Sequence, residues 1–280
     1  MTDLPELPPL PELLTERYGA HAPALPADAD SPVLRTLLAH KSVRHYAAAP
    51  LPPGTLEALG AAAQSAASSS NLQTWSVVAV QDPERKAEAA RLSGNQDFIR
   101  QAPLFLVFCA DLARLSAVSE REGLPGAGLD YLELYQTAVI DAALAAQNAA
   151  VAAESMGLGI CYVGGARNHP QELAALLHLP RRVVALFGLT VGVPAKDDTA
   201  QIKPRLPQWG LIHTEVYDAG ERDEAVAEYN ETARHFYESQ GMNVEGTWAR
   251  HSAKRVAGPE ALSGRDIWHS MLEERGFGLK

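Results

Sequence analysis

Cysteine is scarce in this 280-residue chain: Cys109 and Cys161 are the whole supply. Two thiols build neither a disulfide framework nor a four-cysteine zinc site. HExxH and CxxC motifs and clustered carboxylates are missing. His40 and His45 have Lys41 and Arg44 as neighbours, a poor setting for a metal. A GxSxG nucleophile elbow is missing as well. Positive charge is short, with 24 Lys and Arg against 34 Asp and Glu and a net charge of −10. That disfavours sequence-independent nucleic-acid binding, which requires cations for the phosphate backbone. Long apolar runs are missing, so no membrane-spanning helix is expected. The N-terminus shows no basic segment followed by an apolar core, which predicts a cytoplasmic protein.

What the chain does hold is enough apolar residue, 46%, to bury a core. Its length suits two domains or one large α/β domain. Residues 1–30 carry six of the 19 prolines, which predicts a mostly extended arm with one helical turn around Glu12–Tyr18. Ser31-Pro32 opens a helix to about His40. Helices are predicted over Thr55–Ala67, Glu84–Leu92, Leu129–Met156 and from Asn168, as an N-cap, to His178. Residues 111–130 read as a polar loop. Strands are predicted at Trp75–Val80, Leu104–Ala110, Ile160–Val163 and Val183–Val193. Nine alanines fall within 137–156, so that helix, apolar nearly all round, is expected to be buried in a core or a subunit interface. Residues 218–280 read as helical and charged.

Two basic segments stand out in the acidic chain: His40-Lys41-Ser42-Val43-Arg44-His45 and Lys203-Pro204-Arg205. Such donors suit a phosphate, and equally a solvated surface. Gly164-Gly165 follows a strand directly, either as a turn or where backbone approaches something closely. Gly157-Leu158-Gly159 and Gly164-Gly165 do not form GxGxxG, which disfavours a Rossmann site. Cys109, inside an apolar run, reads as a buried small hydrophobe.

Taken together, seven segments resemble the nitroreductase family of FMN enzymes, on the side of the oxygen-insensitive NADPH nitroreductase and flavin reductase P group. They are HKSVRHY (40–46), SSSNLQTWS (68–76), SGNQDFIRQAP (93–103), AQNAAVAAESMGLG (146–159), YVGGARNHP (162–170), LPRRVVALFGLTVGVP (179–194) and KPRLPQWGLIHTEVYD (203–218). The resemblance covers about residues 33–275. It implies an α+β, three-layer fold: a mostly antiparallel central sheet flanked by helices, in an intertwined homodimer. Residues 31–280 would then be one FMN-binding domain, with 218–280 a helical extension wrapping the partner.

The same resemblance places His40, Lys41 and Ser42 at FMN. His40 and Ser42, with Lys203 and Arg205, match positions that hold its phosphate. Arg44 matches a cation near the pyrimidine edge, where reduced flavin carries negative charge. The Gly165 backbone matches the position facing flavin N5, and Val163, Gly164 and Ala166 complete that loop. Ser68, Ser70, Asn71, Gln73 and Gln96 match a polar shell around the ribityl chain and ring. Asn71 and Arg265 match the substrate and nicotinamide side. No side chain is expected to be catalytic, because flavin carries the chemistry. The implied activity is two-electron, ping-pong hydride transfer from NADPH or NADH to nitroaromatics, quinones or free flavin.

Departures keep alternatives open. Residues 240–246, QGMNVEG, lack the arginines that the group associates with NADPH. That feature also fits a flavin-binding or regulatory dimer without nicotinamide turnover. A specialised flavin reductase of one metabolite is a third reading. The arm before Ser31 matches nothing in the family pattern.

Overall fold

The computed structural model describes residues 6–220 and 222–280. In chain order the helices are α1 (Leu10–Tyr18), α2 (Pro32–Leu38), α3 (Thr55–Gln64), α4 (Pro83–Leu92), α5 (Asp97–Gln101), α6 (Ala113–Arg121), α7 (Leu132–Ser155), α8 (Pro170–Leu176), α9 (Arg222–Ser239), α10 (Trp248–Lys254) and α11 (Trp268–Glu274). The strands are β1 (Trp75–Val80), β2 (Leu104–Asp111), β3 (Gly159–Val163) and β4 (Val183–Gly192). Contacts gather into two compact units. Among the described residues the first unit is 6–42, 199–220 and 222–262; the second is 43–198 and 263–280.

The second unit holds the sheet, in the order β1-β2-β4-β3. Every pairing among the described residues is antiparallel, with Val77 opposite Phe108, Leu106 opposite Leu189 and Tyr162 opposite Leu189. All eight residues of β2 are buried. Period-two alternation divides them between two faces. Leu104, Leu106 and Phe108 meet Leu59 and Ala63 of α3 and the alanines of α7. Phe105, Val107 and Cys109 meet Ala89 and Ala90 of α4, Ile99 of α5 and Leu173 of α8. The three layers and the antiparallel sheet are those expected.

Helix α7 buries one face against the rest of the chain. Ala138, Ala142, Ala145, Ala146, Ala149, Ala150 and Ala153 are buried, while Ile140 is 57% and Leu144 43% exposed. Small side chains let the helix press closely on the sheet, and the larger apolar ones fall on its far side. Gly157 follows α7 at φ +75°, a left-handed C′ position. Segment 111–130 is not simply a loop, because α6 occupies Ala113–Arg121. Asn168 does not cap α8: His169 holds that position, and Asn168 Oδ1 instead accepts from Arg265 Nε at 2.9 Å. Of the helical C-terminal segment, Met271, Leu272 and Phe277 pack into the second unit's own core.

In the first unit the described part of the proline-rich arm, residues 6–30, is not mainly extended, and residues 1–5 of that arm lie outside the described residues. Pro9 and Pro11 sit at the N-cap and in the first turn of α1, where a missing N–H costs nothing. Leu10, Leu13 and Leu14 pack with Leu38 of α2 and against Ile202. Burying each contributes up to about 1.5–3 kcal/mol. In α9, Ala225, Tyr229 and Ala233 are buried, and Tyr229 Oη donates to Pro204 O at 2.9 Å.

Candidate active site

In the second unit, Arg44 lies on a short strap between two buried anchors. Val43 N donates to Ile160 O at 2.9 Å. The Val43 side chain fills the space over Gly159, where a Cβ would fall 2.8 Å from it. Tyr46 Oη donates to Val43 O at 2.8 Å and lies 2.7 Å from Thr190 Oγ1. Arg44 between them is exposed, its guanidinium carbon 5.8 Å from the centre of the Phe98 ring. A cation over an aromatic face is restrained without losing its charge.

Gly164–Arg167 forms a single 3₁₀ turn directly after β3. A Cβ on Gly165 would stand 2.3 Å from Ser93 O and 2.9 Å from Gln96 Nε2. The close approach is thus to the chain's own Ser93–Gln96 loop, and Gln96 Nε2 donates to Ser93 O at 2.6 Å. A Cβ on Gly164 would meet nothing nearer than Arg167 Nη2 at 3.5 Å. Of the glycine pair, only Gly165 is sterically required.

Ser68, Asn71 and Gln73 line a cleft of about 720 Å³ with Trp75, Ser76 and Arg114. Their loop is conformationally costly: Ser70, Asn71 and Gln73 have φ of +48°, +55° and +53°. What holds it is Asp141 of α7, 1% exposed. Its carboxylate accepts from Ser68 Oγ at 2.7 Å, Ser69 N at 3.1 Å, and Thr74 N and Oγ1 at 3.1 and 2.9 Å. Burial pushes this carboxyl up, but those hydrogen bonds outweigh it and hold it below its ordinary range. Arg114 Nη1 closes the other side of the loop by donating to Gln73 O at 2.6 Å. Neither Asp141 nor Arg114 belongs to the sequence-derived set. An acid in the middle of an alanine-rich helix was the available signal for Asp141; Arg114 had none.

Arg265 and Asn168 are joined as described, and Trp268 Nε1 donates to Arg167 O at 3.2 Å. This fixes the segment carrying Arg265 to the end of the Gly164–Arg167 turn.

In the first unit, residues 40–42 and 203–205 of the two basic segments share one buried arginine. Arg17, 4% exposed, donates to Lys203 O at 2.6 Å, Leu38 O at 2.7 Å and His40 O at 2.8 Å. Arg205 N donates back to Arg17 O at 3.0 Å. Lys41 Nζ donates to Ala200 O at 3.0 Å. The side chains of Lys203 and Arg205 are exposed. An imidazole, a hydroxyl, an ammonium and a guanidinium on two segments tied together make a donor set that fits a phosphate monoester. Residues 240–246 contain no arginine, and Glu245 accepts from Lys254 Nζ at 2.7 Å.

Comparison with known proteins agrees over nearly the whole chain. The Nitroreductase family profile matches residues 37–193, and that of the Nitroreductase family, C-terminal domain, matches 203–280. An FMN reductase (NADPH) of Bacillus subtilis strain 168 is 39% identical over 248 residues, 87% of this chain and 97% of that one. An oxygen-insensitive NADPH nitroreductase of Salmonella typhimurium is 38% identical over 79% of this chain and 89% of its own. The solved NADPH:FMN oxidoreductase from Vibrio harveyi, complexed with NAD⁺, superposes with a TM-score of 0.79 at 33% identity, covering 89% of this chain and all of that one. With the sheet, the glycine turn and both basic segments inside the matched residues, the chain belongs to the nitroreductase family.

Proposed function

We propose that this protein is an FMN-dependent NAD(P)H oxidoreductase acting on nitroaromatics, quinones or free flavin. The observation that carries this reading is the 39% identity that runs through 97% of the Bacillus FMN reductase. Bound FMN would supply the two-electron chemistry, accepting hydride from a nicotinamide and delivering it to the acceptor.

The chain's own groups bind and orient. His40, Lys41, Ser42, Lys203 and Arg205 hold the phosphate, and the donor set of the first unit supports this. Arg44, exposed and restrained by Phe98, supplies fixed positive charge to the ring. Val163, Gly164 and Gly165 present backbone to it, and Gln96, held by Ser93 O, supplies a polar edge. Ser68, Ser70, Asn71 and Gln73 form the polar shell, with Asn71 and Arg265 toward the nicotinamide or acceptor.

The functional form is a homodimer. Ile140 and Leu144, one turn apart on α7 and both exposed, suit a covered face. Helices α9 and α10 are the part of 218–280 that reaches the partner. Two buried cysteines, neither in a disulfide, and a net charge of −10 suit a cytoplasmic protein that does not bind nucleic acid.

The test is the visible spectrum of the purified protein under anaerobic conditions, before and after NADPH or NADH. A yellow protein that bleaches is the expected result. Yellow protein that both nucleotides leave unbleached would favour the binding-only reading, which the arginine-free 240–246 segment supports. A colourless protein that FMN cannot reconstitute would sink the flavin assignments.

A further inference from the structure

We propose that Arg17, on the N-terminal arm, is a positioning residue that holds the two phosphate-binding segments in one arrangement. The inference rests on the reading of His40–Ser42 and Lys203–Arg205 as the FMN phosphate site, and adds to it a part of the chain that precedes residue 37, where the family match begins.

The geometry is specific. Leu38 ends α2, so its carbonyl is one that a helix leaves without an intrahelical partner, and His40 follows two residues on. One guanidinium reaches both, and reaches Lys203 O as well. These three acceptors come from segments more than 160 residues apart in sequence (203 − 40 = 163). The fork geometry of arginine allows this; a lysine ammonium, a point donor on a flexible stem, matches it poorly. The clamp is reciprocal, because Arg205 N donates to Arg17 O. Arg205 is therefore held at its own backbone by the residue that also holds the His40 segment.

The arm is built to deliver this side chain. Leu10, Leu13, Leu14 and Arg17 are the buried residues of α1, spaced i, i+3, i+4 and i+7 along one face. The three leucines seat the helix against Leu38 and Ile202, the neighbours of the segments that Arg17 clamps. Removing the guanidinium would take the donor from the buried Leu38 carbonyl and from the part-buried carbonyls of His40 and Lys203, and release one segment from the other. Phosphate affinity would fall because the donors no longer converge, with no loss of any group that touches the ligand.

Binding of FMN and riboflavin to the deflavinated full-length protein tests this, followed by quenching of flavin fluorescence, with a thermal melt of each variant to report folding. Riboflavin lacks the phosphate, so the ratio of the two affinities isolates the phosphate site. Arg17→Leu is expected to weaken FMN binding by about tenfold or more, a change of about 1.4 kcal/mol, while riboflavin binding stays within about twofold. Arg17→Lys is expected to show the same selectivity at smaller size, and decides the matter if Arg17→Leu does not fold. Equal loss of both flavins, or loss of neither, overturns the role of Arg17. Arg205→Ala separates the underlying reading: if it leaves the FMN-to-riboflavin ratio unchanged, the phosphate assignment is wrong. A selective Arg205→Ala with an unselective Arg17 variant refutes the positioning role alone.

Discussion

Ser68 Oγ donates to Asp141 Oδ2 at 2.7 Å, joining the loop after α3 to the middle of α7. This carboxylate accepts four hydrogen bonds from three residues of one loop, Ser68, Ser69 and Thr74. Three residues of that loop have positive φ without being glycine. The anchor and the strain go together, since such backbone persists only where its surroundings fix it. Asp141→Asn replaces an acceptor oxygen with a donor facing donors, and should cost about 2–4 kcal/mol of stability. The depressed carboxyl also sets a pH dependence. Its contribution is complete above the ordinary value of 3.8 and lost as pH falls through the lower folded value. Chemical denaturation of wild type and variant at pH 7 and pH 3 checks both: the difference should shrink at the lower pH. Equal stability at pH 7 would remove Asp141 as the anchor.

Gly165 and Gly164 separate a steric requirement from a tolerated glycine. Gly165→Ala drives a methyl into Ser93 O and should cost about 1–3 kcal/mol by overpacking, with weaker FMN retention. Gly164→Ala should change stability by less than about 0.5 kcal/mol. Thermal melts and flavin content of the two purified variants give the comparison, and equal behaviour would contradict the close approach.

Arg44→Ala should weaken FMN binding and make the bound flavin harder to reduce. Losing about 1.4 kcal/mol of differential stabilisation lowers a two-electron potential by about 30 mV. Spectroelectrochemical titration reads this directly, and an unchanged potential would show that Arg44 does not act on the ring.

Nucleotide preference should be modest. Segment 240–246 has no arginine, and Lys254 is already engaged by Glu245. The kcat/KM ratio of NADPH to NADH should stay below about a hundredfold, or ~2.7 kcal/mol. A larger ratio would mean that other cations read the 2′-phosphate.

The cysteines should be silent. Burial, with a smaller contribution from Asp111, pushes the Cys109 thiol up to about 12, and Cys161 is buried as well. Ellman's reagent at pH 8 should find no reactive thiol in the folded protein and both after unfolding in guanidinium. Rapid reaction of the native protein would contradict the packing of β2 or β3.

By itself the sequence determined the layers and the chemistry of the donors. The apolar runs at β2 and β4, the alanine-rich α7 and the glycine after it have local signatures, because period and composition select strand or helix. The basic segments stood out by residue type, which suits a phosphate and equally a solvated surface. The spacing of Leu10, Leu13, Leu14 and Arg17 held α1 in plain view, but six prolines obscured it, although proline is harmless in a first helical turn. Three relationships lay beyond any local reading. Asp141 meets Ser68, Gly165 meets Ser93, and Arg17 meets both His40 and Lys203, across separations that no periodicity encodes. Only tertiary structure decides such pairs, because a buried charge or a missing Cβ acquires meaning from what the rest of the chain brings against it.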